Sequence, residues 1–188
     1  MKKNIFKIFA CLCIVGFTAC QSWLDETKYT YSISTATFYN TPNETNTAIV
    51  SVLDQMRYAH NSNWFASLKI NTEHIYPKGV YQASGGYTGI TNTTHLTRCG
   101  SNFQSLYRAI MRCNTPLSRL PEASDMTKEE IASYMGELYF LRAFCYWNLV
   151  RTFGSVPLRT EENMYTWDLA KSPVADVYDL IVSDLKKA

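Results

Sequence analysis

Trp64, Tyr76, Tyr81 and Tyr87 fall in one stretch, Asn61 to Gly100, interleaved with Asn71, Gln82 and Asn92. Aromatic rings stack on the apolar C–H faces of pyranose rings, and carboxamides exchange hydrogen bonds with hydroxyls. The stretch is rich in Asn, Thr, Ser, Gly and Tyr, carries turn signals at Gly85-Gly86 and Gly89, and lacks a sustained helical period. An irregular segment of ~40 residues inside a compact domain is more often functional than filler. The candidates for ligand contact are therefore Trp64, Tyr76, Tyr81, Gln82, Tyr87 and Asn92. For any one of them the competing account is packing of the loop onto a helical layer.

Other chemistries find less support. His60, His74 and His95 are too scattered to form a pair, and His95 with Cys99 has no second pair to complete a metal site. Glu129-Glu130 and Glu161-Glu162 are sequence neighbours, and adjacent helical side chains point apart, so neither makes an acid/base pair. No Gly-rich turn leads into a helix in a phosphate-binding pattern. The expectation is a binding protein with no catalytic residues, no metal and no cofactor.

The N-terminus directs the chain outward. Lys2, Lys3 and Lys7 precede a short apolar run, Ile8 to Phe17, which ends in Phe17-Thr18-Ala19-Cys20. That run is shorter than the ~20 residues a spanning helix needs and reads as a secretory signal. A cysteine at the cleavage point is what lipoprotein processing requires, and three acyl chains on Cys20 would anchor the protein stably to a lipid surface. The division expected is a signal at 1–19, a polar tether at 20–34 and a helical domain at 35–188. The three signal lysines account for more than the whole formal charge of +2, so the remainder has no electrostatic reason to bind nucleic acid. Without Cys11, Cys13 and Cys20, an odd set remains, Cys99, Cys113 and Cys145. Cys145 suits a small buried hydrophobe, and spacing leaves open whether Cys99 and Cys113 pair.

Four helices are expected to position the candidate segment. Thr41-Pro42-Asn43-Glu44 combines a capping box with proline at the first helical position, and Ala48, Ile49, Val52, Leu53 and Met56 follow at helical spacing. A second helix should run from about Asn102 to Leu120, with Phe103, Leu106, Tyr107, Ile110 and Leu117 on one face and Pro116 kinking or ending it early. The third, Lys128 to Phe153, opens on a Thr127/Glu130 capping box and closes at Gly154 with Pro157 beyond. Apolar residues on all its sides predict a buried helix. Glu137 and Arg142 within it should then be paired charges, five residues apart and so served by different partners. Gly136 and Ala143 share a face where another helix can approach. Ser172-Pro173 opens a last helix through Val174, Val177, Tyr178, Ile181 and Leu185.

The run from Gly136 to Leu158 resembles the hallmark helix of the SusD/RagB family of outer-membrane nutrient-binding lipoproteins, with a pattern close to G-E-A-x-F-L-R-A-x-x-Y-x-x-L-V-R-x-F-G-x-V-P-L. Gly136, Glu137, Phe140, Leu141, Arg142, Ala143, Tyr146, Leu149, Val150, Arg151, Phe153, Gly154, Val156, Pro157 and Leu158 fall on it, and Tyr139 departs from it. Leu106-Tyr107-Arg108-Ala109-Ile110-Met111-Arg112-Cys113-Asn114 resembles the family's earlier L-Y-x-x-I-x-x-x-N helix. The resemblance implies an all-α, tetratricopeptide-like fold of stacked helix pairs, of which this chain would be the N-terminal portion. It also implies a lipid-anchored protein on the outer membrane, exposed at the cell surface, that captures an oligosaccharide and passes it to a TonB-dependent, SusC-like transporter barrel. Peptide binding within the same family, or a helical envelope scaffold with no small ligand, are the alternatives. No family binding motif maps a ligand residue onto this sequence.

Overall fold

The computed structural model describes residues 38–60, 78–79 and 93–188, the side chains of 93–96 excepted. The expected signal and tether therefore lie outside the described residues. The described residues form four α-helices, α1 Pro42–Ala59, α2 Thr93–Arg119, α3 Lys128–Phe153 and α4 Val174–Lys187, with a 3-10 turn Leu120–Glu122 after α2. Each helix packs on the next in sequence, and α1 also reaches α3. The only β pairing among these residues is one isolated antiparallel bridge, Val156 to Ser172, which closes the base of the α3–α4 loop.

Helix starts follow from local chemistry. The Thr41 hydroxyl accepts from the Glu44 amide at 3.4 Å, and the Glu44 carboxylate accepts from the Thr41 amide at 3.0 Å. At α3 the reciprocal bonds between Thr127 and Glu130 measure 3.2 and 2.8 Å. Each capping box satisfies two donors that a helix start otherwise leaves open. Helix α3 stops at Gly154, whose φ of 71° is a conformation that disfavours side chains.

The core is one cluster in which Ile49 and Val52 of α1, Leu106 and Ile110 of α2, Leu138 and Leu149 of α3, and Val177 and Ile181 of α4 meet. Gly136 explains the closeness of α3 and α4, since a Cβ added there would lie 3.0 Å from the Ala188 carbonyl oxygen. Ala143 on the same face is also buried.

Several expectations need correction. Helix α2 begins nine residues before Asn102, at Thr93. Its first turns carry polar residues and Gly100, and Thr97 to Gly100 are exposed or only partly covered, so this stretch shows no apolar period. Pro116 does not end α2 early, because it sits in the last turn, where its missing donor costs a single bond, and buried Leu117 and Leu120 carry the chain onward. Leu53 of α1 faces solvent, and Ala59 is buried instead. Helix α3 is not covered all round. Phe140 is 51% exposed and Trp147 38%, and they line a shallow trough of about 300 Å³ with Phe144, Ile181 and Leu185. Arg151 covers part of that face, its guanidinium carbon 3.4 Å from the Trp147 ring centre. Glu137 is exposed rather than buried. Cys99 and Cys113 are free; 14 residues apart on one helix, they are separated by ~21 Å along its axis, beyond disulfide reach. Buried Cys145 packs as expected, and desolvation pushes its thiol up to about 12.

Two glycines make opposite predictions. Gly154→Ala should lower stability by about 1–2 kcal/mol, since only its φ forbids a side chain. Gly100→Ala, inside α2 with open space around it, should raise stability by up to about 1 kcal/mol. Urea unfolding of both variants checks the signs.

Candidate functional site

A buried guanidinium builds the site from behind. Arg142 in mid-α3 is only 1% exposed. Its Nε and Nη2 donate to the two oxygens of Asp184 on α4 at 2.7 and 2.8 Å, and its Nη1 donates to Asn114 Oδ1 on α2 at 2.7 Å. Nη1 also donates to Glu161 in the α3–α4 loop, a close ion pair. Burial opposes the charge, but Asp184 and then Glu161 reverse that effect and hold the guanidinium protonated above its ordinary range. The expectation of a structural charge network holds for Arg142, with partners on two other helices and a loop.

Three polar side chains then pin the segment that follows α3. The Tyr107 hydroxyl donates to the Pro157 carbonyl at 2.6 Å. The Tyr146 hydroxyl accepts from the Arg159 amide at 2.7 Å and donates to the Arg159 carbonyl at 2.9 Å. Asn114 Nδ2 donates to the same carbonyl at 3.1 Å. Burial raises both tyrosine pKa values, helped at Tyr107 by the nearby Tyr146 and at Tyr146 by Asp184, so the hydroxyls stay protonated donors.

Held this way, Pro157 and Arg159 form one wall of a surface groove of about 710 Å³, and α2 forms the other. From α2 come Phe103 and Tyr107, whose ring centres lie 4.6 Å apart, together with Gln104, Arg108, Met111 and Arg112. Phe103 is braced edge-on by Phe153 at 5.1 Å, and Tyr107 meets Tyr146 edge-on at 6.5 Å. Arg112 donates to the Ser51 carbonyl of α1 at 2.6 Å, and Arg159 to the carbonyls of Met164 and Thr166 at 3.1 and 2.8 Å. No group of three or more metal-ligating side chains occurs among the described residues.

Trp64, Tyr76, Tyr81, Gln82, Tyr87, Asn92 and the lipidation candidate Cys20 lie outside the described residues. The signature residues Gly136, Arg142, Gly154 and Pro157 act on the fold around the groove, and Glu137 does not join the network. The α2 wall escaped the sequence reading because Phe103 and Tyr107 were assigned to a core face. Gln104, Arg108 and Arg112, four residues apart, are the signal that could have located it. Two further rings were also missed, Tyr165 at 78% and Trp167 at 98% exposure in the α3–α4 loop.

The described residues thus form stacked helices with a ring-bearing groove between α2 and the segment after α3. A family model described as starch-binding and associating with the outer membrane, SusD-like, matches residues 22–188, and the chain belongs to this SusD-like family. It is 28% identical to SusD-like protein P38 of Formosa agariphila, over 99% of this chain and 37% of that protein. The fold is similar to that of a SusD homolog from Bacteroides thetaiotaomicron, with TM-score 0.67 at 20% identity, over 81% of this chain and 30% of that one. It is also similar to a laminarin-binding SusD-like protein, with TM-score 0.60 at 24% identity, over 79% and 34%. The chain thus spans about a third of the length of these relatives. Its all-α architecture is that of the SusD-fold proteins, stacked in tetratricopeptide fashion.

The Glu161 carboxyl carries a pH prediction. Burial raises its pKa, but the hydrogen bond from Arg142, a backbone hydrogen bond, and the charges of Arg142 and Lys187 bring it below the ordinary value. A depressed folded pKa contributes stability above the unfolded value of about 4.3 that is lost as pH falls through the folded one. Glu161→Gln should therefore be less stable than the parent at pH 7 and lose less on acidification. Parallel acid-unfolding curves would contradict the pairing.

Proposed function

We propose that this chain is part of a surface lipoprotein that binds glycan and hands it to a TonB-dependent, SusC-like transporter. The observation that carries the reading is the family match across residues 22–188, whose description joins starch binding to the outer membrane. The basic, apolar and small-residue order ending at Cys20 supports a lipid anchor there. A tether at 20–34 would keep the domain beside its barrel, so that effective concentration replaces intrinsic affinity.

Glycan contact falls in this reading to the rings and carboxamides of the Asn- and Tyr-rich segment ahead of α2, Trp64, Tyr76, Tyr81, Gln82, Tyr87 and Asn92. Ring faces supply apolar stacking area and the amides orient hydroxyls, so binding needs no covalent step. Uptake is then capture and transfer, with no bond of the ligand broken.

Calorimetry on the intact protein with a panel of oligosaccharides and peptides tests the reading. Tyr81→Ala with Tyr87→Ala should weaken glycan binding by about tenfold or more and leave the thermal midpoint nearly unchanged. Unchanged affinity with a large fall in midpoint would make these rings packing residues, and exclusive peptide binding would replace the ligand class. Cys20→Ala should move the protein from the membrane fraction to the soluble one. Retention in the membrane would remove the anchor from the account.

A further inference from the structure

The groove between α2 and the Pro157–Arg159 segment carries a charge pattern that glycan binding in general does not require. Three guanidiniums, those of Arg108, Arg112 and Arg159, line it, and no carboxylate lines it among the described residues. Nor does any described carboxylate form a salt bridge to them; the described ion pairs use Arg57 and Arg142. Arg112 commits Nη1 to Ser51 and Arg159 commits Nη1 to two loop carbonyls. Each guanidinium has five N–H donors, so both keep donors for a ligand while being held in place by the bonds they make. Arg108 is exposed on the same ridge of α2.

Surface arginines are ordinarily countered by nearby acids or solvated singly, and three in one concavity with no acid among the described lining residues repel one another. An anion resolves that repulsion, and the planar fork of a guanidinium fits a carboxylate or a sulfate with two parallel hydrogen bonds. The apolar floor restricts the class further. Phe103, Tyr107 and Met111 offer stacking area beside the cations, which a bare inorganic anion could not use. Arg108 and Arg112 stand about 6 Å apart along the helix axis, a spacing suited to anionic groups on a chain of sugar rings.

We infer that the groove of Arg108, Arg112 and Arg159, floored by Phe103 and Tyr107, binds an acidic saccharide carrying carboxylate or sulfate groups. The inference rests on the glycan-binding reading and narrows it to charged sugars at a second surface, separate in sequence from Trp64 to Asn92. Arg108 and Arg112 carry the charge recognition, and the rings set the orientation of the sugar.

Calorimetry on the intact protein with three oligosaccharides of equal length, a neutral glucan, a polyuronate and a sulfated galactan, separates the possibilities. The acidic oligomers should bind about tenfold or more tightly than the glucan, the preference shrinking between about 0.02 M and about 0.5 M sodium chloride. Arg108→Gln, and Arg108→Gln with Arg112→Gln, should remove that preference, bringing the acidic oligomers down to the affinity of the neutral glucan. The single variant guards against loss of the Arg112–Ser51 bond. Comparison of the two acidic oligomers distinguishes carboxylate from sulfate. Glucan binding at parental strength with no acidic preference would overturn the inference and leave the glycan reading standing. An acidic preference that survives both variants would also overturn it, placing the site elsewhere. Failure of all three sugars to bind would sink both.

Discussion

One buried guanidinium fixes how the described elements meet. Arg142 has lost nearly all contact with water, and a charge so placed persists only if its donors are satisfied and its charge is countered. The acceptors come from Asn114 on α2, Asp184 on α4 and Glu161 in the loop between α3 and α4. Each partner is remote in sequence, so satisfying one side chain sets the placement of three segments at once. Apolar packing alone would tolerate small slides of these helices, whereas the bidentate fork to Asp184 specifies a register. Helix α1 joins separately, through Ile49, Val52 and the Arg112–Ser51 bond.

The same logic explains the residues of the two resembling motifs. Tyr107 and Asn114 of the earlier helix and Tyr146 of the later one all hold the backbone of Pro157 and Arg159. Gly154 makes the turn that brings this segment back, and Gly136 lets the end of α4 approach α3. Asn114 serves both systems, accepting from Arg142 and donating to the Arg159 carbonyl. The wall of the groove is thus built on the charge network behind it.

Much of this was legible in the chain. Capping boxes at Thr41 and Thr127, the glycine stop at Gly154 and the start near Pro173 were readable because they depend on a few adjacent residues. Arg142 read as a paired charge because a guanidinium in an apolar helix has few alternatives. The start of α2 was not legible, since Thr93 to Gly100 are mostly polar and show no apolar period. The exposure of Phe140, Trp147 and Glu137 was hidden for a related reason. Composition says how apolar a helix is, but its neighbours decide which side they cover. The groove was missed because Phe103 and Tyr107 are half-buried, and their spacing is the same whether a ring faces the core or its rim. Spacing along α2 was the better guide, because Gln104, Arg108 and Arg112 recur every four residues and so share one face of the helix.

A double-mutant cycle on Arg142 and Asp184, read by chemical denaturation, tests the central claim most directly. Arg142→Met and Asp184→Leu should each cost about 3–5 kcal/mol, since each leaves a buried charge without its principal partner. The double variant should cost clearly less than the sum, because it removes both charges together. Small and additive losses would mean that the pair is incidental and that apolar packing alone sets the arrangement of α2, α3 and α4.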